Sequence, residues 1–163
     1  MAIIKFKLND QDIVLDENPS MRLLDVLREQ FGFVGVKEGC GEGECGACAV
    51  LINNEVINSC LVPLGNVMGK EIMTIEGYAQ TKRYEVLKDA YAEEGAVQCG
   101  FCTPGFVLAT HKYIEEIGEI NDIKIKEALS GNFCRCTGYT KIIDGVKEAI
   151  HRHNDKGDKW FQY

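Results

Sequence analysis

The chain has 163 residues, 45% of them hydrophobic and 26% charged, with a formal net charge of −7 and a pI near 5.0. This balance is typical of a globular protein with one ordinary domain or two small ones. The acidic charge argues against nucleic acid as a partner, because phosphate binding needs a basic surface. No apolar run approaches the roughly 20 residues that span a bilayer, and the first residues lack the features of a signal peptide. We therefore expect a cytoplasmic protein without a membrane span.

The first half of the sequence predicts a small mixed sheet packed on one helix. Residues 3–8 alternate apolar and polar, as in a half-buried strand, and a second strand is predicted at 13–15. A hairpin is predicted from the apolar runs 49–52 and 56–57 around an Asn-Asn turn. Residues 72–75 predict the closing strand. The apolar face of the helix is expected at Leu23, Leu24 and Leu27.

The second half predicts four helices. Apolar residues at helical spacing favour helices over 84–94, 104–117, 122–129 and 141–151. Ser20 is the expected N-cap of the helix in the first half, and Thr103 and Asp122 are expected N-caps of two helices in the second half. The predicted fold class is therefore α+β, with strands first and helices second.

A polar stretch with a glycine, residues 77–83, indicates the domain boundary. The sequence thus predicts one domain over 1–78, a second over 79–153 and a C-terminal tail over 154–163. The tail contains three aromatic residues, for which a frayed end is favoured over docking on a partner. They are Trp160, Phe161 and Tyr163.

The chain contains eight cysteines, and in a cytoplasmic protein these are expected to bind metal or to do redox chemistry rather than to form disulfides. The first four follow the plant-type ferredoxin spacing C-x4-C-x2-C plus one later cysteine. Glycines in this loop allow backbone N–H groups to approach the sulfides of an anionic cluster. Zinc fits less well, because its sites usually show paired C-x2-C knuckles. The predicted ligands of this first 2Fe–2S cluster are Cys40, Cys45, Cys48 and Cys60.

The other four cysteines form a C-x2-C pair and a C-x-C pair, each followed by threonine and a predicted helix. Helix N-termini carry free N–H groups and a partial positive charge, which suit an anionic cluster. A second 2Fe–2S cluster is the leading interpretation of this spacing, and a zinc site stays open as the alternative. The predicted ligands are Cys99, Cys102, Cys134 and Cys136, with Thr103 and Thr137 as helix caps.

Four segments of the sequence resemble the signatures of the iron–sulfur subunit of molybdenum hydroxylases, the family of xanthine dehydrogenase and aldehyde oxidoreductase. The resemblance covers residues 3–152 and departs from the family at Ala49, where threonine is common. Because Ala49 is not a predicted ligand, this departure does not affect the predicted cluster sites. The matching segments are Val36 to Cys40, Gly43 to Cys48, Val97 to Gly105 and Gly131 to Tyr139.

The resemblance implies a β-grasp, plant-type ferredoxin-like first domain and an all-α four-helix second domain, each with one 2Fe–2S cluster. It also implies a molybdopterin, in the cytosine dinucleotide form, on a large partner subunit and FAD on a medium subunit. The family's pterin contacts fall on Gln98 and Cys136 of this sequence. For Gln98 this contact is favoured over a role in capping its own loop.

The resemblance further implies an electron-transfer subunit of an oxidoreductase complex. We expect a holoenzyme that hydroxylates a purine, with xanthine first, or a related N-heterocycle. The small subunit of a carbon monoxide, aldehyde or aromatic acyl-CoA oxidoreductase is the alternative, as is a free-standing two-cluster ferredoxin.

No catalytic residue is expected on this chain. The sequence has no glycine-rich nucleotide loop, no activated nucleophile and no recognisable carboxylate pair. The three histidines are expected on exposed helix faces rather than as ligands. They are His111, His151 and His153.

Overall fold

The first half of the chain forms a five-stranded mixed sheet. The computed structural model describes residues 1–156, and the strands follow the order β2-β1-β5-β3-β4 across the sheet. β1 and β5 are parallel, whereas β1–β2, β3–β4 and β3–β5 are antiparallel. The strands are β1 (Ala2–Leu8), β2 (Gln11–Glu17), β3 (Ala49–Ile52), β4 (Glu55–Asn58) and β5 (Glu71–Met73). The predicted strand pair and hairpin are confirmed.

Two-residue turns close both hairpins. Asn9 and Asp10 have φ of 48° and 66°, and Asn53 and Asn54 have φ of 49° and 66°. Positive φ at both central residues is the type I′ geometry, whose twist matches that of the flanking strands. Asparagine and aspartate tolerate this conformation better than most residues, which explains why the hairpins form where the sequence places them.

The helix of the first half begins later than expected. α1 (Leu23–Asp25) runs directly into a π-helical segment (Val26–Gln30). Its predicted apolar residues are fully buried. The prediction of Ser20 as the N-cap was wrong. The N-cap position is Arg22, whose guanidinium bonds Asp25 at 2.7 and 2.8 Å and Glu38 at 2.7 Å. Arg22 therefore ties the start of the helix to the loop that carries the first cysteines.

The second half is helical, as predicted. A single-turn helix, α2 (Ile75–Tyr78), precedes four longer ones. Ile75 thus belongs to α2, and the predicted closing strand ends earlier, at Met73. The four longer helices are α3 (Lys82–Glu93), α4 (Thr103–Glu116), α5 (Asp122–Ala128) and α6 (Thr140–Lys156).

Three predicted caps are displaced. Asn121, rather than Asp122, caps α5 by accepting from the N–H groups of Ile123 and Lys124 at 3.0 and 3.2 Å. Thr103 is the first residue of α4 rather than its cap, and Thr137 lies ahead of the start of α6. α6 also continues into the stretch predicted as a tail. The aromatic residues of that tail lie outside the described residues.

β3 lies between two hydrophobic cores. Its side chains alternate, as they must in a strand: Ala49 and Leu51 pack with the helices of the second half, whereas Val50 and Ile52 pack with β1 and α1. Tyr78 of the predicted linker is 1% exposed and belongs to the helical core. The two halves therefore pack directly on each other.

One histidine departs from the prediction. His151 is exposed and His153 is half-buried, but His111 is only 1% exposed, so the predicted exposed position of His111 was wrong. α4 packs against α3, α5 and the β3–β4 hairpin, which leaves it little solvent face. Burial lowers the pKa of His111 from 6.5 to about 4, with Glu115 opposing the shift and Arg83 and Lys112 adding to it.

A histidine that stays neutral when buried makes folding sensitive to acid. As the pH falls, His111 is protonated at a higher pH in the unfolded chain than in the folded one, which favours the unfolded chain. Lowering the pH from about 7.5 to about 5 is therefore expected to reduce the free energy of unfolding by about 2 kcal/mol. Urea unfolding at the two pH values measures this reduction, and the contribution of His111 to it should be absent in His111→Leu. His151→Leu, at an exposed position, is the control and should keep the pH dependence of the wild type. An equal loss in His111→Leu and the wild type would contradict the assignment.

In the described part of the chain, no helix has both the length and the apolar character needed to cross a membrane.

Candidate metal centres

Three cysteines of the first group lie on the loop that leads into β3, and the fourth, Cys60, lies in a short 3-10 helix (Ser59–Leu61) directly after β4. Cys40 is exposed, Cys45 is half-buried, and Cys48 and Cys60 are buried in the core of the sheet half. The loop needs glycine where it approaches its own cysteines: a Cβ on Gly39 would lie 2.8 Å from the Cys45 sulfur. The loop can therefore fold tightly enough to bring its thiols together.

Backbone N–H groups point at the first thiol. The amides of Glu42 and Glu44 donate to Cys40 Sγ at 3.4 and 3.3 Å. These bonds, that of Glu42 first, lower the pKa of Cys40 to about 7. Donors that stabilise a thiolate also stabilise the negative charge on a metal-bound sulfur, so this loop is built for an anionic centre.

The thiols of the first group interact in pairs. The Cys40 thiol interacts with that of Cys45, and the Cys48 thiol interacts with that of Cys60. Burial raises the pKa of Cys48 to about 12. One pair is thus near the surface and the other is in the core.

The second group lies where two segments enter α4 and α6. Cys136 Sγ is 3.6 Å from Cys99 Sγ, and the Cys102 thiol interacts with those of Cys134 and Cys99. Burial raises the pKa of Cys102 to about 12. Again the four thiols form two pairs, one exposed (Cys99 and Cys136) and one more buried (Cys102 and Cys134).

Thr137 bonds a sulfur instead of capping a helix. Its hydroxyl donates to Cys134 Sγ at 3.1 Å, its N–H donates at 3.5 Å, and the same hydroxyl accepts from the N–H of Tyr139 at 3.2 Å. Burial opposes ionisation of Cys134, but these bonds hold the pKa of its thiol below the ordinary value. The sequence predicted a cap here, and a threonine immediately after a C-x-C pair was the signal available for this contact.

The structure shows contacts between pairs of the predicted cysteines, such as the 3.6 Å between Cys136 Sγ and Cys99 Sγ, and the two sets of four remain a prediction. Within residues 1–156, no three or more His, Cys, Asp or Glu side chains converge as the ligands of a single metal ion do. Gln98, the predicted cofactor contact, is exposed beside the exposed Cys99. The exposed pair of the second group thus lies at the surface of the chain, next to Gln98.

The sequence did not predict a direct link between the groups. The N–H of Phe133, next to Cys134, donates to the carbonyl oxygen of Cys45 at 2.9 Å. No spacing in the sequence signals this bond, because it joins two loops far apart along the chain.

Two family models match the chain: a 2Fe-2S iron-sulfur cluster binding domain over residues 6–71 and a [2Fe-2S] binding domain over residues 74–147. The nicotinate dehydrogenase small FeS subunit of Eubacterium barkeri is 43% identical over 91% of this chain and 95% of its own length. The xanthine dehydrogenase iron-sulfur-binding subunit of Escherichia coli O157:H7 is 43% identical over 90% and 92%. The structure of quinoline 2-oxidoreductase from Pseudomonas putida 86 superimposes with a TM-score of 0.87, at 36% identity, over 96% of this chain and 97% of that one.

Proposed function

The chain belongs to the iron–sulfur small subunits of the molybdenum hydroxylase family, which are electron-transfer components of oxidoreductase complexes, and from this membership we propose its ligands, partners and substrate class. A ferredoxin-like sheet domain precedes a helical domain, as in the solved relatives. Each domain matches a 2Fe–2S-binding model.

We propose that all eight cysteines are iron ligands. One set is Cys40, Cys45, Cys48 and Cys60, and the other is Cys99, Cys102, Cys134 and Cys136. The observation that carries this assignment is that each set of four cysteines falls within one of the two 2Fe–2S-binding family models, over residues 6–71 and 74–147. A 2Fe–2S cluster takes two thiolates on each of its two irons and, when bound, accepts and releases one electron. The residues present fit such a group, with two thiol pairs for each cluster and N–H or O–H donors on the sulfurs.

The proposed partners are a large subunit that carries molybdopterin, in the cytosine dinucleotide form, and a medium subunit that carries FAD. Gln98 and Cys136 are the proposed contacts to the pterin. Both are exposed, which supports a role at an interface. The second group would then receive electrons first and the first group would deliver them to the acceptor.

The proposed substrate class is an N-heterocycle, with xanthine first. Three relatives are named for nicotinate, xanthine and quinoline enzymes. Each of those compounds contains a nitrogen heterocycle. Those nicotinate and xanthine relatives are 43% identical to this chain and two relatives named for aldehyde enzymes are 37% identical, which supports this class over an aldehyde. The substrate site itself belongs to the partner.

Purification of the native protein tests the proposal. A larger molybdenum-containing subunit should accompany the chain, and anaerobic addition of xanthine should bleach the visible absorbance of both clusters. A chain that runs alone, binds no larger subunit and still shuttles electrons would instead be a free-standing ferredoxin. Bleaching by nicotinate or an aldehyde but not by xanthine would change the substrate and leave the electron-transfer role intact.

Thr137→Val removes the hydroxyl that donates to Cys134 Sγ. A donor to a cluster sulfur stabilises the reduced, more negative state. The reduction potential of the second cluster should therefore become more negative by roughly 20–60 mV, the equivalent of one hydrogen bond. An EPR-monitored redox titration measures it, with Thr137→Ser as the control that keeps the hydroxyl. An unchanged potential in Thr137→Val would show that the bond has no effect on the cluster.

A further inference from the structure

The single-turn helix α2 is anchored in both halves of the chain. On the sheet side, Asn9 of the β1–β2 turn bonds Thr74, directly before the helix: Asn9 Oδ1 accepts from the Thr74 N–H at 2.9 Å, and Asn9 Nδ2 donates to Thr74 Oγ1 at 3.0 Å. On the helical side, the buried ring of Tyr78 packs among the long helices, and its centroid lies 5.0 Å from that of the His111 ring. α2 therefore has a fixed position relative to both halves.

Glu76 of α2 bonds the segment that leads into the first cysteine loop. Its Oε1 accepts a hydrogen bond from the N–H of Gly35 at 2.7 Å. The approach is close, because a Cβ on Gly35 would lie 2.5 Å from Ile75 Cγ2 and 2.8 Å from Glu76 Oε1. Gly35 has no positive φ, so its backbone conformation does not require glycine. What requires glycine here is the contact with α2.

The second oxygen of the same carboxylate makes no such bond. Glu76 Oε2 is buried and has no hydrogen-bond partner among the described residues. A buried acceptor without a donor lowers the stability of the fold. Such groups in a native structure call for an explanation, and the segment that Glu76 Oε1 holds supplies one.

The position of Gly35 is carried into the loop by the residues that follow it. Val36 is buried in the core of the sheet half. The N–H of Lys37 donates to the carbonyl oxygen of Ala47 at 3.0 Å and so closes the loop on itself. The two amides that donate to Cys40 Sγ lie within the part that this bond encloses. The start of the loop therefore determines where these donors lie.

We propose that Glu76 is a positioning residue of the first cluster. Through its bond to Gly35 it holds the start of the loop, and it thereby keeps the amide donors of the loop on the sulfur of Cys40. The inference rests on the proposed function, since it needs the cluster that is proposed for this loop. Glu76 lies within residues 74–147, the range of the second family model. One domain thus supplies a residue that positions the cluster of the other.

Glu76→Ala and Glu76→Gln separate the effect of the bond from that of the carboxylate charge. Both variants lack the charge, but glutamine keeps an oxygen that can accept from the Gly35 N–H. Because donors to a cluster sulfur stabilise the reduced state, the first cluster of the holoprotein should have a more negative potential in Glu76→Ala than in Glu76→Gln. It should also lose iron to EDTA severalfold faster. An EPR-monitored redox titration and the decay of each cluster's EPR signal measure both effects, and the second cluster should not differ between the variants.

Glu71→Ala is the control for removal of a surface carboxylate, since the Glu71 side chain is 73% exposed and pairs with Lys7 at 3.5 Å. It should match the wild type in both measurements. Loss of the first cluster from Glu76→Ala alone would be the expected effect in its strongest form. Equal potentials and equal iron release in Glu76→Ala and Glu76→Gln, with both clusters present, would overturn the inference. A wild type without the first cluster would instead contradict the proposed function.

Gly35→Ala tests the same contact should Glu76→Ala fail to fold. The added Cβ presses on Ile75 and Glu76 and leaves the carboxylate charge in place. Gly131→Ala is its control, because a Cβ there meets nothing within 4 Å. The first cluster should lose iron to EDTA severalfold faster in Gly35→Ala than in Gly131→Ala, and equal rates would also overturn the inference.

Discussion

Cys60→Ala is expected to remove the first cluster and leave the second, so that iron falls from about four to about two per chain. Cys60 is 4% exposed, and its thiol pairs with that of Cys48 in the core of the sheet half. The chain has eight cysteines and the proposal uses all of them as ligands, so it leaves no spare thiol to replace Cys60. Iron and acid-labile sulfide analysis, together with EPR of the reduced protein, measures the result.

The same substitution should also destabilise the fold. A metal centre bound only by the folded state adds its binding free energy to folding, and this centre adjoins the core formed by α1 and the sheet. Val67→Ala, fully buried in the same core, is the control for the cavity alone and should cost roughly 2 kcal/mol. Cys60→Ala should cost clearly more in urea unfolding. Equal losses, or four irons retained, would contradict the assignment.

Cys136→Ser should block reduction of the protein by substrate while the first cluster's spectrum stays intact. Cys136 is exposed, and its sulfur lies 3.6 Å from that of Cys99, so the change affects the second cluster at its proposed pterin-facing pair. Because the position is exposed, the fold should be retained. Anaerobic stopped-flow mixing of the complex with xanthine should show the bleaching of both clusters slowed by orders of magnitude.

Ser130→Ala is the control for Cys136→Ser, since Ser130 is exposed in the segment before the same cysteine pair. It should be reduced as fast as the wild type. If Cys136→Ser removes the first cluster's signal instead, the ligands have been grouped wrongly. If it loses the second cluster's signal but is still reduced by xanthine at the native rate, electrons enter elsewhere.

The elements of this fold could be predicted because their signals are local. Alternation over residues 3–8 marks β1, and paired asparagines mark the turn of the second hairpin. The cysteine spacing is local too, and it predicts two groups of ligands from short segments of the chain. The eight ligands remain a proposal, which the variants above test.

What the sequence did not predict depends on contacts between distant segments. His111 looks like a surface residue along α4, but the sheet covers that helix. The bond from Phe133 to Cys45 joins two loops, and neither loop alone indicates it. The predicted cap of α5 was one residue off, because Asn121 and Asp122 are both good caps and only the backbone geometry decides between them.

Metal and sulfide analysis of the native chain, combined with EPR, tests the central claim most directly. The account predicts about four irons and about four acid-labile sulfides per chain, with two distinct signals of reduced 2Fe–2S clusters. Zinc in place of iron, with no visible absorbance, would contradict it.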